Sequence, residues 1–362
     1  MRRDERRASV LSSVLGLISA PIRRYQVWSG MIIAVVGATA VLAIVTAVIV
    51  TVVIGCGGTS SPPPSGSRIG PALSAAMTAA DKARSPWRCG ARSGPTAPDE
   101  TLVVGAKRWK VTGQTAKLEG TAPITIGAIA DAGAATPATI AALERLQTKL
   151  ARADVIIALG GMGSTQADLE ATLGAISKPG QAPVIALPGD LEAVTAQGAA
   201  IAALRSRNQL VLDGRIVRQL DLPEVTVAIV AGASHSQRLS AGADGCSYQP
   251  EDIVAAGAAL VSLPTMRVLA TAEAPRAIHG GEPTGDLVVM PAARTIDIAL
   301  HGPVTVDASS AVSGRRAGNA VAITPGTSDA MIRFPGPRHV PSAGLLTVRG
   351  GAWTWQPVTA SE

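Results

Sequence analysis

Aromatic side chains are scarce in this sequence and make up 2% of its 362 residues. Apolar residues nevertheless account for 47% of the chain, so a core must be built mainly from alanine, valine, leucine and isoleucine. A chain of this length buries enough surface in such a core to fold unaided. The scarcity also argues against a nucleic-acid-binding surface, which typically interleaves aromatic and basic side chains.

Histidine and cysteine are scarce as well, with four and three copies respectively. Neither a C-x-x-C pair nor a Cys/His cluster is present, so no zinc site is predicted. Cys89 and Cys246 could form a disulfide in an oxidising compartment, or they could be two unrelated buried thiols. A bridge between them would attach the segment 71–122 to the rest of the folded chain.

Positive charge is concentrated near the N-terminus and does not form a binding stripe. The net charge is +6, but residues 1–30 hold six arginines against Asp4 and Glu5, a net +4, which leaves +2 for the other 332 residues. This distribution is typical of a membrane topology signal and predicts no nucleic-acid partner.

An uncharged apolar run covers residues 31–54, and its 24 residues exceed the roughly 20 that a helix needs to cross a bilayer. Arginines precede this run, and only Arg68 follows it closely. The positive-inside rule therefore places the leader 1–30 in the cytoplasm and the bulk of the chain outside. The sequence predicts a membrane-anchored protein whose folded domain lies on the extracytoplasmic, periplasmic side.

The end of this run leaves two kinds of membrane attachment open. Residues 53–56 resemble a bacterial lipobox, in which Cys56 would be lipidated and become the new N-terminus. The run is longer than the roughly 7–15 apolar residues of a cleaved signal, which favours an uncleaved transmembrane helix. In both cases residues 31–56 are the anchor, and the Gly, Ser and Pro-rich residues 57–70 are a linker.

Residues 71–122 are weakly patterned and read as an N-terminal extension, whereas regular alternation begins at residue 123. Short apolar runs typical of strands alternate with segments of helical spacing, which predicts an α/β fold with parallel β-α-β units. The strands are predicted at 124–129, 155–159 and 184–187, and the helices at 137–150, 166–176 and 192–205.

The second half of the chain predicts further strands, at 210–217 and 225–230, and a C-terminal hairpin. Asp213-Gly214 has the composition of a hairpin turn. Trp353 and Trp355 alternate along the terminal strand, which places them on one side and favours core packing. The pattern predicts two sheets packed together with helices outside.

Small and acidic residues follow the ends of the strands in a particular order. They are Asp131-Ala132-Gly133, Gly160-Gly161, Gly189-Asp190-Leu191-Glu192, Ala272 and Gly302. This order and spacing resemble the calcineurin-like metallophosphoesterases over residues 123–358. The resemblance implies a four-layer α/β/β/α sandwich and a metallophosphoesterase-like domain at 123–362. In that family two divalent metal ions activate a water for attack on phosphorus.

Most of the ligands that the resemblance requires are missing. Asp131 matches the first aspartate of the family and Asp190 replaces an asparagine, so these two remain as candidate metal ligands. The other ligand positions of the family hold residues that cannot replace its imidazole or bridging carboxylate ligands. These residues are Gly133, Gly161, Leu191, Ala272 and the segment 303–305. His301 lies one residue before the matched Gly302. The sequence predicts no bound metal, no other cofactor and no catalytic residue.

The same residues have simpler explanations. Asp131, Asp190 and Glu192 precede predicted helices, where carboxylates commonly cap the helix N-terminus. Residues 160–163 are better explained as a tight turn than as an anion-binding loop. Ser234-His235 lacks the G-x-S-x-G pattern of a nucleophilic serine.

The leading hypothesis is a membrane-tethered, envelope-exposed pseudoenzyme that acts by binding or scaffolding an unidentified envelope protein. One alternative is an active metal-dependent phosphoesterase with a rearranged site that uses Asp131, Asp190, Glu192 and His301. A second alternative is a purely structural envelope lipoprotein.

Overall fold

The computed structural model describes residues 87–234, 239–273, 295–302, 315–317, 320–331 and 340–361. The predicted anchor 31–56, with Cys56, and the linker 57–70 lie outside these residues. Within the described ranges, no helix combines the length and the apolar character that crossing a membrane requires. The described residues belong to the compact unit that begins at Ala72.

The described residues form strands grouped in three sheets, together with four α-helices. The strands are β1 (Trp87–Arg88), β2 (Ala97–Val104), β3 (Lys107–Gly113), β4 (Thr115–Glu119), β5 (Ile124–Ile129), β6 (Val155–Leu159), β7 (Val184–Leu187), β8 (Val211–Asp213), β9 (Gln219–Leu222), β10 (Val225–Val230), β11 (Cys246–Ser247), β12 (Met266–Thr271), β13 (Ile298–His301), β14 (Arg315–Ala317), β15 (Ala320–Ile323), β16 (Ser342–Arg349) and β17 (Ala352–Thr359). The helices are α1 (Pro137–Leu150), α2 (Gln166–Ile176), α3 (Val194–Ser206) and α4 (Pro250–Leu260).

The six-stranded sheet has the order β17-β16-β5-β6-β7-β8. Strands β5 to β8 run parallel and are connected by α1, α2 and α3, which confirms the predicted β-α-β units. Alternate side chains of β6 face opposite ways. Ile157 and Leu159 enter the core between the sheets, whereas Ile156 and Ala158 pack with the helices.

The nine-stranded sheet has the order β14-β15-β13-β12-β10-β9-β4-β3-β2. Helix α4 packs on one face of this sheet through Ile253 and Leu260. The other face, which includes Trp109, Val227 and Leu300, shares a buried cluster with the six-stranded sheet. The predicted mixed α/β fold is confirmed.

Strands β2, β3 and β4 come from the segment 71–122. They extend the nine-stranded sheet because β4 pairs in parallel with β9. Leu102, Trp109 and Val111 of this segment are buried in the core between the sheets. In β2 and β3 the few buried residues are separated by exposed ones, so these strands contain no continuous buried run.

The predicted hairpin turn at Asp213-Gly214 is wrong. Asp213 ends β8, an edge strand parallel to β7, and Gly214 N–H donates to the Ala186 carbonyl at 2.9 Å. The antiparallel pair is β9–β10, and its turn contains Glu224 with a φ of 67°. The Asp213 carboxylate instead binds the backbone and side chain of Arg215, so the Asp-Gly pair ends a strand.

The C-terminal hairpin of β16 and β17 forms as predicted. Trp353 and Trp355 both pack against the core between the sheets, which confirms their predicted packing role. The indole of Trp355 lies over Gly344, where a Cβ would come within 2.1 Å of the ring. Glycine at this position therefore makes room for the indole.

Cys89 and Cys246 form a disulfide with their Cα atoms 5.5 Å apart. The bridge joins the residue that follows β1 to β11, and these two short strands pair in parallel. Arg88 adds hydrogen bonds of 2.9 and 3.2 Å to the carboxylate of Asp252 in α4. These contacts fix the beginning of the described chain next to α4.

Candidate functional site

The loops that follow the parallel strands of both sheets meet at one edge of the fold. After β5, Asp131 N–H donates to the Gly160 carbonyl after β6, at 2.9 Å. After β10, Gly232 N–H donates to the Pro188 carbonyl after β7, at 2.8 Å. Because open α/β sheets usually bind ligands at the carboxyl ends of their strands, this edge is the candidate site.

Small residues close this edge by direct backbone contact. A Cβ on Gly160 would lie 2.9 Å from the Cβ of Ala272 and 3.0 Å from the Cα of Gly189. A Cβ on Gly302 would lie 2.1 Å from the carbonyl oxygen of Ala272. The structure thus brings the predicted strand-end positions together, and their small side chains leave the loops in contact.

Two glycines stand where the metallophosphoesterase resemblance requires metal ligands. Gly161, at the position of the bridging aspartate, has a φ of 70°, and a Cβ there would lie 2.8 Å from the Cα of Asp131. Gly133, at the position of the first histidine, has a φ of 62°, and a Cβ would lie 2.8 Å from Oδ2 of Asp329. Neither position accepts a larger side chain without a shift of its neighbours.

Asp131 is the one residue that matches the first ligand of the family, and its backbone is tightly held. Its φ of 53° is left-handed, a conformation that aspartate tolerates better than most residues. Its carbonyl accepts hydrogen bonds from Thr327 Oγ1 at 2.8 Å and from Ser328 N–H at 3.1 Å. The turn after β15 therefore fixes the loop after β5.

The other candidate ligands do not assemble around Asp131. Asp190 is exposed, and its carbonyl accepts a hydrogen bond from Ser240 N–H at 2.8 Å. His301 is 1% exposed, with Nδ1 2.7 Å from the Gly302 carbonyl oxygen. Within the described ranges, no three His, Cys, Asp or Glu side chains are placed to share a metal ion.

The described residues therefore do not fit a two-metal centre, which needs several carboxylate, amide and imidazole ligands that converge. The segment 303–305 and the histidines His235, His279 and His339 lie outside the described residues.

Glu192 occupies the interior of the candidate site and is 1% exposed. Its Oε1 accepts a hydrogen bond of 2.6 Å from Met162 N–H, and its Oε2 accepts one of 2.8 Å from Gly189 N–H. One carboxyl group thus links the loop after β6 to the loop after β7. Both of its oxygens have backbone donors.

Burial dominates the titration of this carboxyl group. Desolvation raises the pKa of Glu192 from its ordinary value of 4.5 to about 7, against the lowering effect of the backbone donors Gly189 and Met162. The charge of Asp190 raises the pKa further. A buried carboxyl that titrates near neutral pH makes the link between the loops pH-sensitive.

The predicted capping roles of Asp131, Asp190 and Glu192 are wrong. Thr136 caps α1 and Thr165 caps α2, each through its side-chain oxygen. Helix α3 begins after Ala193 and has no side-chain cap. Asp131 lies five residues before the N-cap of α1, and α3 begins at Val194, two residues later than predicted, so these carboxylates lie too early in the chain to cap the helices.

A second polar group next to Ala272 was missed by the sequence reasoning. Glu273 Oε2 accepts hydrogen bonds from Ser234 Oγ at 2.6 Å and from Tyr248 Oη at 3.1 Å. The signal in the sequence that could have identified Glu273 was its position directly after Ala272, which lies at a strand end. The group connects β12 with the loop after β10 and with the residue that follows β11.

The pH dependence of stability tests the environment of Glu192. Unfolded Glu192 ionises near pH 4.5, whereas the folded form keeps its proton up to about pH 7. Its contribution is therefore full below pH 4.5 and is lost as pH rises to 7, by roughly 3 kcal/mol. Denaturant unfolding of wild type and Glu192→Gln across this window should give a free-energy difference that falls with pH.

The matched control is Glu144→Gln, because the Glu144 side chain is 56% exposed. This variant should keep the wild-type pH profile. A Glu192→Gln variant with the same profile as wild type would contradict the buried, proton-binding carboxyl.

Restoring the bridging aspartate tests the closure of the site. Gly161→Asp should destabilise the fold by about 3 kcal/mol, through the left-handed backbone and the contact with Asp131. Gly105→Asp is the control, because Gly105 has a φ of 59° and open space around its Cβ position. The control should cost about 1 kcal/mol. If Gly161→Asp matched the control in denaturant unfolding and bound Mn²⁺, the closed site would be refuted.

Comparison with known proteins gives fold similarities only at low sequence identity. No family model matches the chain, and no curated protein matches it. Solved structures do match. The protein TT1561 of Thermus thermophilus is 16% identical over 66% of this chain and 100% of its own, with a TM-score of 0.46.

Two further solved structures also match the chain. A purple acid phosphatase from yellow lupin seeds is 11% identical over 70% of this chain and 57% of its own, with a TM-score of 0.43. Vps29 of Entamoeba histolytica, complexed with zinc, is 14% identical over 66% of this chain and 100% of its own, with a TM-score of 0.29. The solved structures that match this chain include proteins of the metallophosphoesterase, or calcineurin-like, fold.

Proposed function

We propose that this chain is a membrane-tethered, envelope-exposed pseudoenzyme with a four-layer α/β/β/α sandwich. It acts by binding or scaffolding another envelope protein and does not hydrolyse phosphoesters. One observation carries the proposal. Gly161 lies against Asp131 where a bridging carboxylate would be needed.

The chemistry of a two-metal hydrolase needs donors that can hold two cations and a water between them. Asp131 and Asp190 are the remaining matched donors, and the exposed Asp190 is not grouped with other ligands in the described ranges. Glu192 is close to the site, but both its oxygens accept backbone hydrogen bonds. Direct contact between Gly160, Gly189 and Ala272 takes up the space that ligand side chains would occupy.

Tethering outside the cytoplasm has two independent supports. The uncharged run 31–54 follows six arginines, which favours an N-terminus in the cytoplasm. The disulfide between Cys89 and Cys246 is typical of an oxidising compartment. The linker 57–70 would hold the folded domain away from the membrane surface.

Metal content and activity of the full-length chain, purified in detergent, test the proposal. We expect substoichiometric Mn, Fe and Zn by elemental analysis after incubation with each metal. Hydrolysis of a phosphomonoester and a phosphodiester should be equal in wild type and Asp131→Ala. Two metal equivalents per chain, with turnover that Asp131→Ala abolishes, would instead establish the active phosphoesterase with a rearranged site.

Protease protection in bacterial spheroplasts tests the membrane topology. Externally added protease should degrade the folded domain while a cytoplasmic marker stays intact. Cys56→Ala should remain membrane-bound if 31–54 is an uncleaved helix, and should lose its acyl chain if Cys56 is lipidated. A domain that is digested only after the spheroplasts are lysed would contradict exposure outside the cytoplasm.

A further inference from the structure

Arg218 is a buried arginine at the same edge of the fold as the candidate site. It lies in the crossing from β8 to β9, and its carbonyl accepts a hydrogen bond from Ile229 N–H near the end of β10, at 2.8 Å. Its own N–H donates to the Gln114 carbonyl at 2.8 Å. The residue is 5% exposed, so its guanidinium has little access to bulk water.

The guanidinium of Arg218 lacks acceptors for most of its donors. Nε donates to the Arg215 carbonyl at 2.7 Å. Nη1 and Nη2 are buried and have no hydrogen-bond partner among the residues that the structure describes. Leaving such donors unpaired costs roughly 1–3 kcal/mol for each group, and more for a charged one. A further acceptor at this position would remove that cost.

The nearby carboxylates are already occupied by other donors. Asp252 accepts from Arg88 through both oxygens and from Gln249 N–H at 2.8 Å. Asp213 accepts from the Arg215 side chain and from Arg215 N–H at 2.9 Å. Neither acid makes a hydrogen bond to Arg218.

Arg92 adds a second positive charge next to Arg218. Burial lowers the pKa of Arg218, and the charge of Arg92 lowers it too, whereas Asp252 and Asp213 raise it. Arg92 is exposed and donates from Nη1 to the Ala255 carbonyl at 3.1 Å. In the described part of the chain Arg92 forms no ion pair with a carboxylate, whereas Asp252 is paired with Arg88 and Asp213 with Arg215. The positive charges of Arg92 and Arg218 are therefore the ones without a paired carboxylate.

Loop 90–95 covers the guanidinium at a glycine. A Cβ on Gly94 would lie 2.2 Å from Nη2 of Arg218, so a larger residue at this position would displace the end of the Arg218 side chain. Gln114 Nε2 holds the loop through the carbonyls of Gly94 and Pro95, at 3.1 and 3.2 Å. The disulfide at Cys89 anchors the same segment.

We propose that Arg218, with Arg92, forms a binding site for an oxyanion of the phosphate or carboxylate class beneath loop 90–95. The Nη1 and Nη2 groups present parallel donors that match two oxygens of such a group. The carboxyl edge of the strands is where α/β sheets usually bind ligands. Its residues are not among the candidate metal ligands, and it does not depend on the membrane tether.

Calorimetric titration of the full-length chain in detergent tests the site. Inorganic phosphate, and separately acetate, is titrated at constant ionic strength set with chloride. We expect saturable binding by wild type that is lost in Arg218→Met. Arg218→Lys keeps the positive charge but lacks the two parallel N–H donors of the guanidinium, so it should bind the anion about tenfold more weakly. Arg145→Met, which removes an exposed charge on α1, should bind as wild type does.

The comparison of phosphate with acetate identifies the class of oxyanion. If Arg218→Met does not fold, Gly94→Ala serves as the second variant, because its Cβ displaces Nη2 and should weaken binding. Absence of saturable binding of either anion to wild type would overturn the proposal without any variant. Equal binding by wild type and Arg218→Met would also overturn it, because water would then satisfy the guanidinium.

Discussion

Direct contact between the loops at the strand ends is the constraint on which the candidate site depends. Gly161 touches Asp131, and Gly160 touches Ala272 and Gly189, so backbone lies where longer side chains would otherwise extend. Both Gly160 and Gly161 have left-handed φ values of 82° and 70°. Larger residues would have to displace neighbouring backbone and adopt a rare conformation at the same time. The closed edge is therefore a property of the backbone, and a single ligand side chain cannot reopen it.

Two buried polar side chains at this edge differ in whether their hydrogen-bonding groups have partners. Glu192 is enclosed and accepts backbone donors from two loops, so it stabilises the closed edge. Arg218 is enclosed as well, but two of its nitrogens lack acceptors among the described residues. Even if the Asp131 region binds no metal, another part of the same edge can bind a ligand.

Local sequence patterns predicted the strands and helices, whereas contacts between distant parts of the chain determine the environment of the candidate site. Strands β5, β6 and β7 follow from short apolar runs, and α1 and α2 from helical spacing. The sequence also identified the strand-end positions that meet. The sequence could not predict that Asp213 ends an edge strand, because this depends on the pairing of β8 with β7, a contact between separate parts of the chain. The buried settings of Glu192 and Arg218 likewise depend on distant loops, and no local pattern encodes them.

Anomalous X-ray diffraction from crystals of the protein soaked in Mn²⁺ tests the central claim most directly. The closed edge predicts no anomalous peak within coordination distance of Asp131, whatever surface sites the soak fills. Two peaks about 3.5–4 Å apart, both within coordination distance of Asp131 or Asp190, would show an open two-metal site and contradict the account.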